Sequence, residues 1–256
     1  MKRVFSVLLI CLCLCGCGVQ PAAEPATVPT ELTTVPTELT TVPEQTLETT
    51  VEVTNGLHSG INDDGSFDEG TLFIGDSLTY GMVTGYLPDN GLLGQAKYMA
   101  IPGAAITCYK QGPALGAKPS AYSPQFEGLY MFQAVEAYGE EFTAVYLMLG
   151  TNANEYATDK VYAAMVTHLL VNCPNATIYL QLVPNNRSDR VNSEAANGRI
   201  QRVYESMPQE DRLQLIDTQT AIGYHLAADG IHLVTEGQRC WYEALVAYAE
   251  ENEIGR

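Results

Sequence analysis

Ser77, Asp229 and His232 are the residues whose types and spacing suit nucleophilic catalysis, and they sit in two short words, GDSL at 75–78 and DGIH at 229–232. A serine hydroxyl is a weak nucleophile until a base takes its proton, and imidazole is the common base. Asp229 precedes His232 by three residues, so a single turn brings the carboxylate to Nδ1. That contact fixes the tautomer and leaves Nε2 to accept the serine proton. Two further words supply polarising groups. Gly103 in IPGA and Ser77 itself offer backbone N–H groups, and Asn152 in GTN (150–152) offers a side-chain amide. Those three donors make the expected oxyanion hole. The chemistry predicted is two-step acyl transfer through an acyl-serine.

Each word alone is ambiguous. Gly-Asp-Ser is common turn chemistry, and GDSL lacks the glycine two residues after the serine that a G-x-S-x-G elbow needs. Asp76, beside Ser77 on extended chain, reads as an Asx-type turn lock and not as the catalytic acid. His58 falls in the expected tether, His168 falls inside a helix as a half-buried, satisfied residue, and His225 has no acid at turn spacing before it. Asn154 and Glu155 follow Asn152 and are candidate substrate contacts, with helix entry an equal reading. Residues 104–125 are rich in Gly, Pro and Tyr without an apolar period, as in a loop walling a site. Tyr109 and Tyr122 are its candidate contacts. Trp241 reads as core.

These groups need a frame. TLFIGDS (71–77), AVYLMLG (144–150), TIYLQLVP (177–184) and LQLID (213–217) are apolar runs with little alternation, with a weaker strand at 97–101. Such runs belong to a parallel sheet covered on both faces. Helical patterns near 126–139, 158–172, 193–206 and 235–251 alternate with them, which predicts an α/β domain over 71–256. Ligands of such sheets bind beyond the carboxyl ends of the strands. Ser77, Gly103 and Asn152 fall at or just after such ends, with Asp229 and His232 on a loop before the last helix.

The first seventy residues read differently. Lys2 and Arg3 precede an apolar run from Val4 to Leu14, and Leu14-Cys15-Gly16-Cys17 resembles a bacterial lipobox. The resemblance implies a signal peptide over 1–16, lipidation of Cys17 and an extracytoplasmic, membrane-anchored protein; an ordinary secretory signal is the plainer alternative. Over 17–70 the expectation is a disordered tether: TVPTELT occurs at 27–33 and 34–40, and ten acidic residues stand without Lys or Arg. About fifty such residues reach on the order of 40 Å or more. The net charge of −17, and of −9 over 71–256, with no basic cluster, disfavours nucleic acid and anionic headgroups as partners. Of seven cysteines, Cys108, Cys173 and Cys240 fall in the body, far apart and without a C-x-x-C pair. Three free thiols, no disulfide framework, no metal site and a monomer are expected.

The ordered set Ser77, Gly103, Asn152 and His232, with Asp229, resembles the SGNH, or GDSL, hydrolase superfamily over roughly 71–250. The resemblance implies a flavodoxin-like three-layer α/β/α sandwich around a five-stranded parallel sheet, and ester, thioester or amide-like acyl chemistry without a cofactor. Two positions depart from the family pattern: Ala153 stands where the third block often has an acid, and Met99-Ala100 stand near where the second often has Asn. An exported acidic domain without a long apolar helix to serve as a lipid lid suggests small acyl groups on glycans, deacetylation first. Cleavage of lysophospholipid or fatty esters, acyl transfer to a sugar, and a non-catalytic glycan-binding lipoprotein are the alternatives.

Overall fold

A computed structural model describes residues 56–111, 121–152, 156–188 and 191–255. The proposed signal peptide, Cys17, most of the tether, Asn154 and Glu155 lie outside the described residues. In chain order the elements are β1 (Thr71–Gly75), α1 (Ser77–Gly81) running through a π-helical turn (Met82–Tyr86) into α2 (Leu87–Asp89), β2 (Lys97–Ala100), α3 (Cys108–Gln111) and β3 (Ala121–Tyr122). There follow α4 (Met131–Tyr138), β4 (Ala144–Met148), α5 (Asp159–Asn172), β5 (Thr177–Gln181), α6 (Ser193–Glu205), β6 (Leu213–Ile216), α7 (Thr218–Ile222) and α8 (Thr235–Glu251).

The strands form one sheet in the order β3-β2-β1-β4-β5-β6. Five pair in parallel, as the apolar runs predict: β1 takes β2 on one side and β4 on the other, and β5 and β6 follow. Every residue of β1, β4 and β5 is buried, which is what unalternating apolar strands require. The sixth strand corrects the expected five. Ala121 and Tyr122 pair antiparallel with Ala100 and Met99. Ser123 reinforces the edge, its N–H donating to the Tyr98 carbonyl at 2.9 Å and its Oγ accepting from the Tyr98 N–H at 2.9 Å. A two-residue strand is too short to carry a period.

Helices cover both faces, with α3 to α6 packed in succession on one, and α1, its π-helical turn, α7 and α8 on the other. Thr158 and Asn192 cap α5 and α6 through side-chain oxygens that accept from Val161 N–H (3.3 Å) and Ala195 N–H (2.9 Å). Helix α4 starts later than its sequence pattern suggests. Pro124–Phe126 make a 3₁₀ turn, and Gln133 reaches back to accept from the Tyr130 N–H at 3.0 Å, fixing the first turn there. Trp241 is buried, and its indole N–H donates to Gln181 Oε1 at 2.5 Å. Among the described residues no helix is long and apolar enough to cross a membrane.

The domain begins earlier than residue 71. Phe67 is fully buried and Ile61 nearly so, and the Phe67 ring meets Phe73 edge-on at 4.8 Å. Phe73, Tyr146 and Tyr179 are register neighbours on β1, β4 and β5, and their rings stack at 5.2 and 4.7 Å. The hydroxyls of Tyr146 and Tyr179 then donate to the carbonyls of Ser59 (2.6 Å) and His58 (2.7 Å). Residues 57–70 are therefore part of the fold, not tether. Their acidic residues hide this in composition: Asp64 serves a local turn, its Oδ1 accepting from the Ser66 N–H at 2.9 Å.

Candidate active site

The chain crosses from β1 to β2 on one side and returns to β4 on the other, so the turns after β1 and β4 flank the point where strand order reverses. Ser77 follows β1 and Asn152 follows β4. Asp76 makes the first turn. It is fully buried, and its Oδ1 accepts from the Leu78 N–H at 3.0 Å, so it caps α1 as the Asx reading predicts. It does more than lock a turn, because Oδ2 accepts from Asn152 Nδ2 at 3.2 Å. Burial raises the Asp76 pKa to about 6, with the Leu78 N–H pulling the other way. The second N–H of Asn152 is aimed at the Ala104 carbonyl, also at 3.2 Å. Both contacts are long, so the amide is positioned by acceptors that an oxyanion can displace.

Gly103 lies on the turn after β2, where the Ala104 N–H donates to the Ile101 carbonyl at 2.9 Å. Its φ of +82° needs glycine, although a Cβ there would meet nothing within 4 Å.

Asp229 and His232 stand on a hairpin-like loop spanning residues 225–234. The loop is closed by Ala227 N–H to the His232 carbonyl (2.7 Å) and Val234 N–H to the His225 carbonyl (3.2 Å). Arg187 N–H, after β5, donates to the Gly230 carbonyl at 2.9 Å and ties the loop to the sheet edge. Asp229 Oδ1 accepts from the backbone N–H groups of Ile231 and His232, each at 3.0 Å, which orients the carboxylate. Its Oδ2 accepts from His232 Nδ1–H at 2.5 Å. With Nδ1 as donor, Nε2 is the acceptor, and it lies 2.9 Å from Ser77 Oγ. The His232 hydrogen bond, then the two backbone N–H groups, hold the Asp229 carboxyl far below the usual carboxylate range.

Ser77, Gly103, Asn152, Asp229 and His232 all line one cavity of about 640 Å³. The sequence reading missed four other lining residues, Pro102, Ser188, Val191 and Ile231. Each neighbours a residue or strand end already implicated: Pro102 precedes Gly103, Ile231 precedes His232, and Ser188 and Val191 follow β5. Ligands of such sheets sit beyond the carboxyl ends of the strands, so the position of Ser188 and Val191 after β5 is the sequence signal for them.

Two expected contacts are elsewhere. Tyr109 is buried, its hydroxyl 2.8 Å from His168 Nδ1, because α3 tucks the ring against α5. His168 Nε2 meets Glu136 at 3.2 Å, so that histidine is satisfied, as expected. Tyr122 lies in β3, away from the cavity lining, and burial pushes its phenol up to about 12. Both tyrosines fill structure that the sequence presented as loop. Cys108, Cys173 and Cys240 are free thiols. Among the described residues, His225, Glu236 and Cys240 come together with their ligand-type atoms all within 4.8 Å of one another, a grouping that the sequence spacing does not suggest.

No family model matches this chain, and no curated protein matches it. Several solved structures are similar to it. A carbohydrate esterase family 3 protein from Talaromyces cellulolyticus shares 15% identity over 71% of this chain and 96% of its own, with a TM-score of 0.48. A family two carbohydrate esterase from Clostridium thermocellum, in complex with cellohexaose, shares 17% identity over 72% of this chain, with a TM-score of 0.49; the matched region spans 64% of that longer chain. The lipase Lip_vut3 from a goat rumen metagenome shares 14% identity over 73% of this chain and 98% of its own, with a TM-score of 0.47.

Proposed function

We propose that this chain is an extracytoplasmic serine esterase that removes acetyl or other short acyl groups, from glycans in particular, through an acyl-Ser77 intermediate. The relay from Asp229 through His232 to Ser77 Oγ, with separations of 2.5 and 2.9 Å, carries the reading. Ser77 Oγ attacks the ester carbonyl carbon while its proton passes to His232 Nε2. The carbonyl oxygen becomes an oxyanion facing the N–H groups of Ser77 and Gly103 and the amide of Asn152. Collapse breaks the bond to the alkoxy oxygen, which leaves with the proton from Nε2. Water then repeats the sequence: its proton goes to Nε2, its oxygen bonds the acyl carbon, and Ser77 is released together with a carboxylic acid. Asp229 keeps the imidazole in one tautomer throughout and stabilises its cationic form.

The cavity supports the short-acyl preference. Its aliphatic lining is limited to Pro102, Val191 and Ile231, among polar groups from Ser77, Asn152, Ser188 and Asp229. A long acyl chain needs a continuous apolar trough, since each CH₂ left wet forfeits about 0.8 kcal/mol. Lipidation at Cys17 would hold the enzyme at the outer face of a membrane. Acetate release from a panel of O-acetylated glycans, with Ser77→Ala as control, tests the reading. Release that is equal in the control refutes it.

A further inference from the structure

We infer that His225, Glu236 and Cys240 form a site for a borderline-soft divalent cation, zinc first, which clamps the base of the loop carrying Asp229 and His232 onto α8. The three side chains converge from two elements. Glu236 and Cys240 are four residues apart in the first turns of α8, so they project from one helix face. His225 arrives from the foot of the 225–234 loop, where its carbonyl accepts from the Val234 N–H at 3.2 Å. Gly237 makes this approach possible. A Cβ there would lie 2.5 Å from the His225 carbonyl oxygen and 3.1 Å from its Cβ, so only a residue without a side chain lets His225 lie against the helix.

The donor set decides the ion. A thiolate, an imidazole and a carboxylate together suit zinc, whereas calcium and magnesium prefer oxygen alone. Zinc bonds of about 2.0–2.3 Å in tetrahedral geometry separate ligand atoms by roughly 3.3–3.8 Å. The 4.8 Å envelope is wider than that by about 1 Å, a gap of the size that side-chain rotation spans. Water completes the fourth position. His225 and Glu236 are exposed and Cys240 is half-buried, so an ion has a direct path in.

Glu236 already has a cationic partner. Arg239 Nε donates to Glu236 Oε2 at 2.9 Å and Nη2 to Oε1 at 2.5 Å, while Nη1 bonds Glu243. This contact is compatible with metal binding. A carboxylate has about four lone-pair sites, and metal-bound carboxylates are commonly held by an outer hydrogen bond. Glu243 also keeps the guanidinium anchored if Glu236 turns toward the ion. None of the three ligands lines the cavity, so the ion would act on loop position and not on the acyl chemistry.

The test is independent of any esterase activity. The full-length protein, reduced and with Cys11, Cys13, Cys15 and Cys17 replaced by serine so that only Cys108, Cys173 and Cys240 remain as thiols, is titrated with cobalt(II) as a spectroscopic stand-in for zinc. A thiolate-to-cobalt charge-transfer band should grow to one equivalent and be displaced by zinc. Cys240→Ser should lose the band, Cys108→Ser should keep it, and His225→Ala should weaken binding by more than about tenfold. Amide exchange over 225–234 should slow on adding zinc to the native protein and be unaffected in His225→Ala. Absence of the band, or a band that survives in Cys240→Ser, overturns the site. Exchange that is the same with and without zinc overturns the clamp.

Discussion

Asp76→Asn should gain stability relative to the native protein as pH rises toward neutral, and should lower activity, and both effects start from the buried carboxylate. The carboxylate is fully buried at the head of α1, and its pKa rises from 3.8 to about 6 because burial disfavours the charge. A carboxyl whose folded pKa exceeds its unfolded one binds protons more tightly in the native state. Its contribution is therefore present below 3.8 and lost as pH rises through about 6. The whole interval corresponds to roughly 3 kcal/mol, at about 1.4 kcal/mol per pH unit. Asparagine resembles the protonated form and does not titrate. The stability difference between variant and native protein should then shift in favour of Asn by roughly 3 kcal/mol between about pH 3 and pH 8. Any constant offset from replacing the cap leaves that increment unchanged, since Asn caps as well as Asp. Activity moves the other way. Once the new side chain accepts from the Leu78 N–H, its own NH₂ faces the NH₂ of Asn152, and the oxyanion donor is displaced. A loss of one such donor costs about 10²–10³ in turnover. Urea denaturation of both proteins across the pH range, beside ester turnover at neutral pH, measures both effects. A stability difference that stays flat with pH would falsify the account of Asp76.

Three further outcomes follow from the same geometry, and a fourth from the sequence around Cys17. Ser77→Ala and His232→Ala should each lower p-nitrophenyl acetate turnover by about 10⁴-fold or more with unchanged circular dichroism, and Asp229→Asn by on the order of 10⁴ through the wrong tautomer; near-native turnover in any of them counts against the relay. Across p-nitrophenyl esters, kcat/KM should fall from acetate toward chains of ten or more carbons; a rise that persists below their critical micelle concentrations favours a lipase instead. Phe67→Ala should cost about 3–5 kcal/mol in denaturant unfolding, because this ring is fully buried against Phe73; a neutral effect would return residues 57–70 to the tether. Cys17→Ser should abolish labelling by radioactive palmitate in a bacterial host, and label that persists would move the anchor to another cysteine.

The parts of this molecule legible in its sequence are those with a strong local signature. β1, β4 and β5 announce themselves because burial on both faces leaves only apolar positions. Asp229 and His232 are legible because their contact is three residues long. Capped helices such as α5 and α6 start within a residue of their patterns. What escaped depends on distant partners. Nothing near Phe67 in SFDEG reveals that Phe73, Tyr146 and Tyr242 surround it. The helix beginning at Ser77 is not legible, because SLTYGMVTGY carries glycines and β-branched residues that weaken a helical pattern; Asp76 caps it and the sheet packs against it. Tyr109 and Tyr122 were placed at the cavity on composition alone, and their burial is decided by α5 and by the edge of β2. His225, Glu236 and Cys240 have no recognisable spacing, since one comes from a loop and two from a helix face.

The pairing of His58 with Gly255 has a topological consequence. Ser59 N–H donates to the Gly255 carbonyl at 3.0 Å, and Gly255 N–H to the Leu57 carbonyl at 3.2 Å, so the first and last described residues are laced side by side. The described part of the polypeptide, from 57 to 255, is in effect a ring with one cut. That cut lies by Thr177, at the amino end of β5, across the sheet from Ser77. A few added residues could join 255 to 57, and the chain could be opened at a surface loop on another edge without disturbing the strand order, as in circular permutants generally. The same lacing makes the two ends mutually dependent: loosening either strips partners from the other, and with them the carbonyls that Tyr146 and Tyr179 use to anchor their rings.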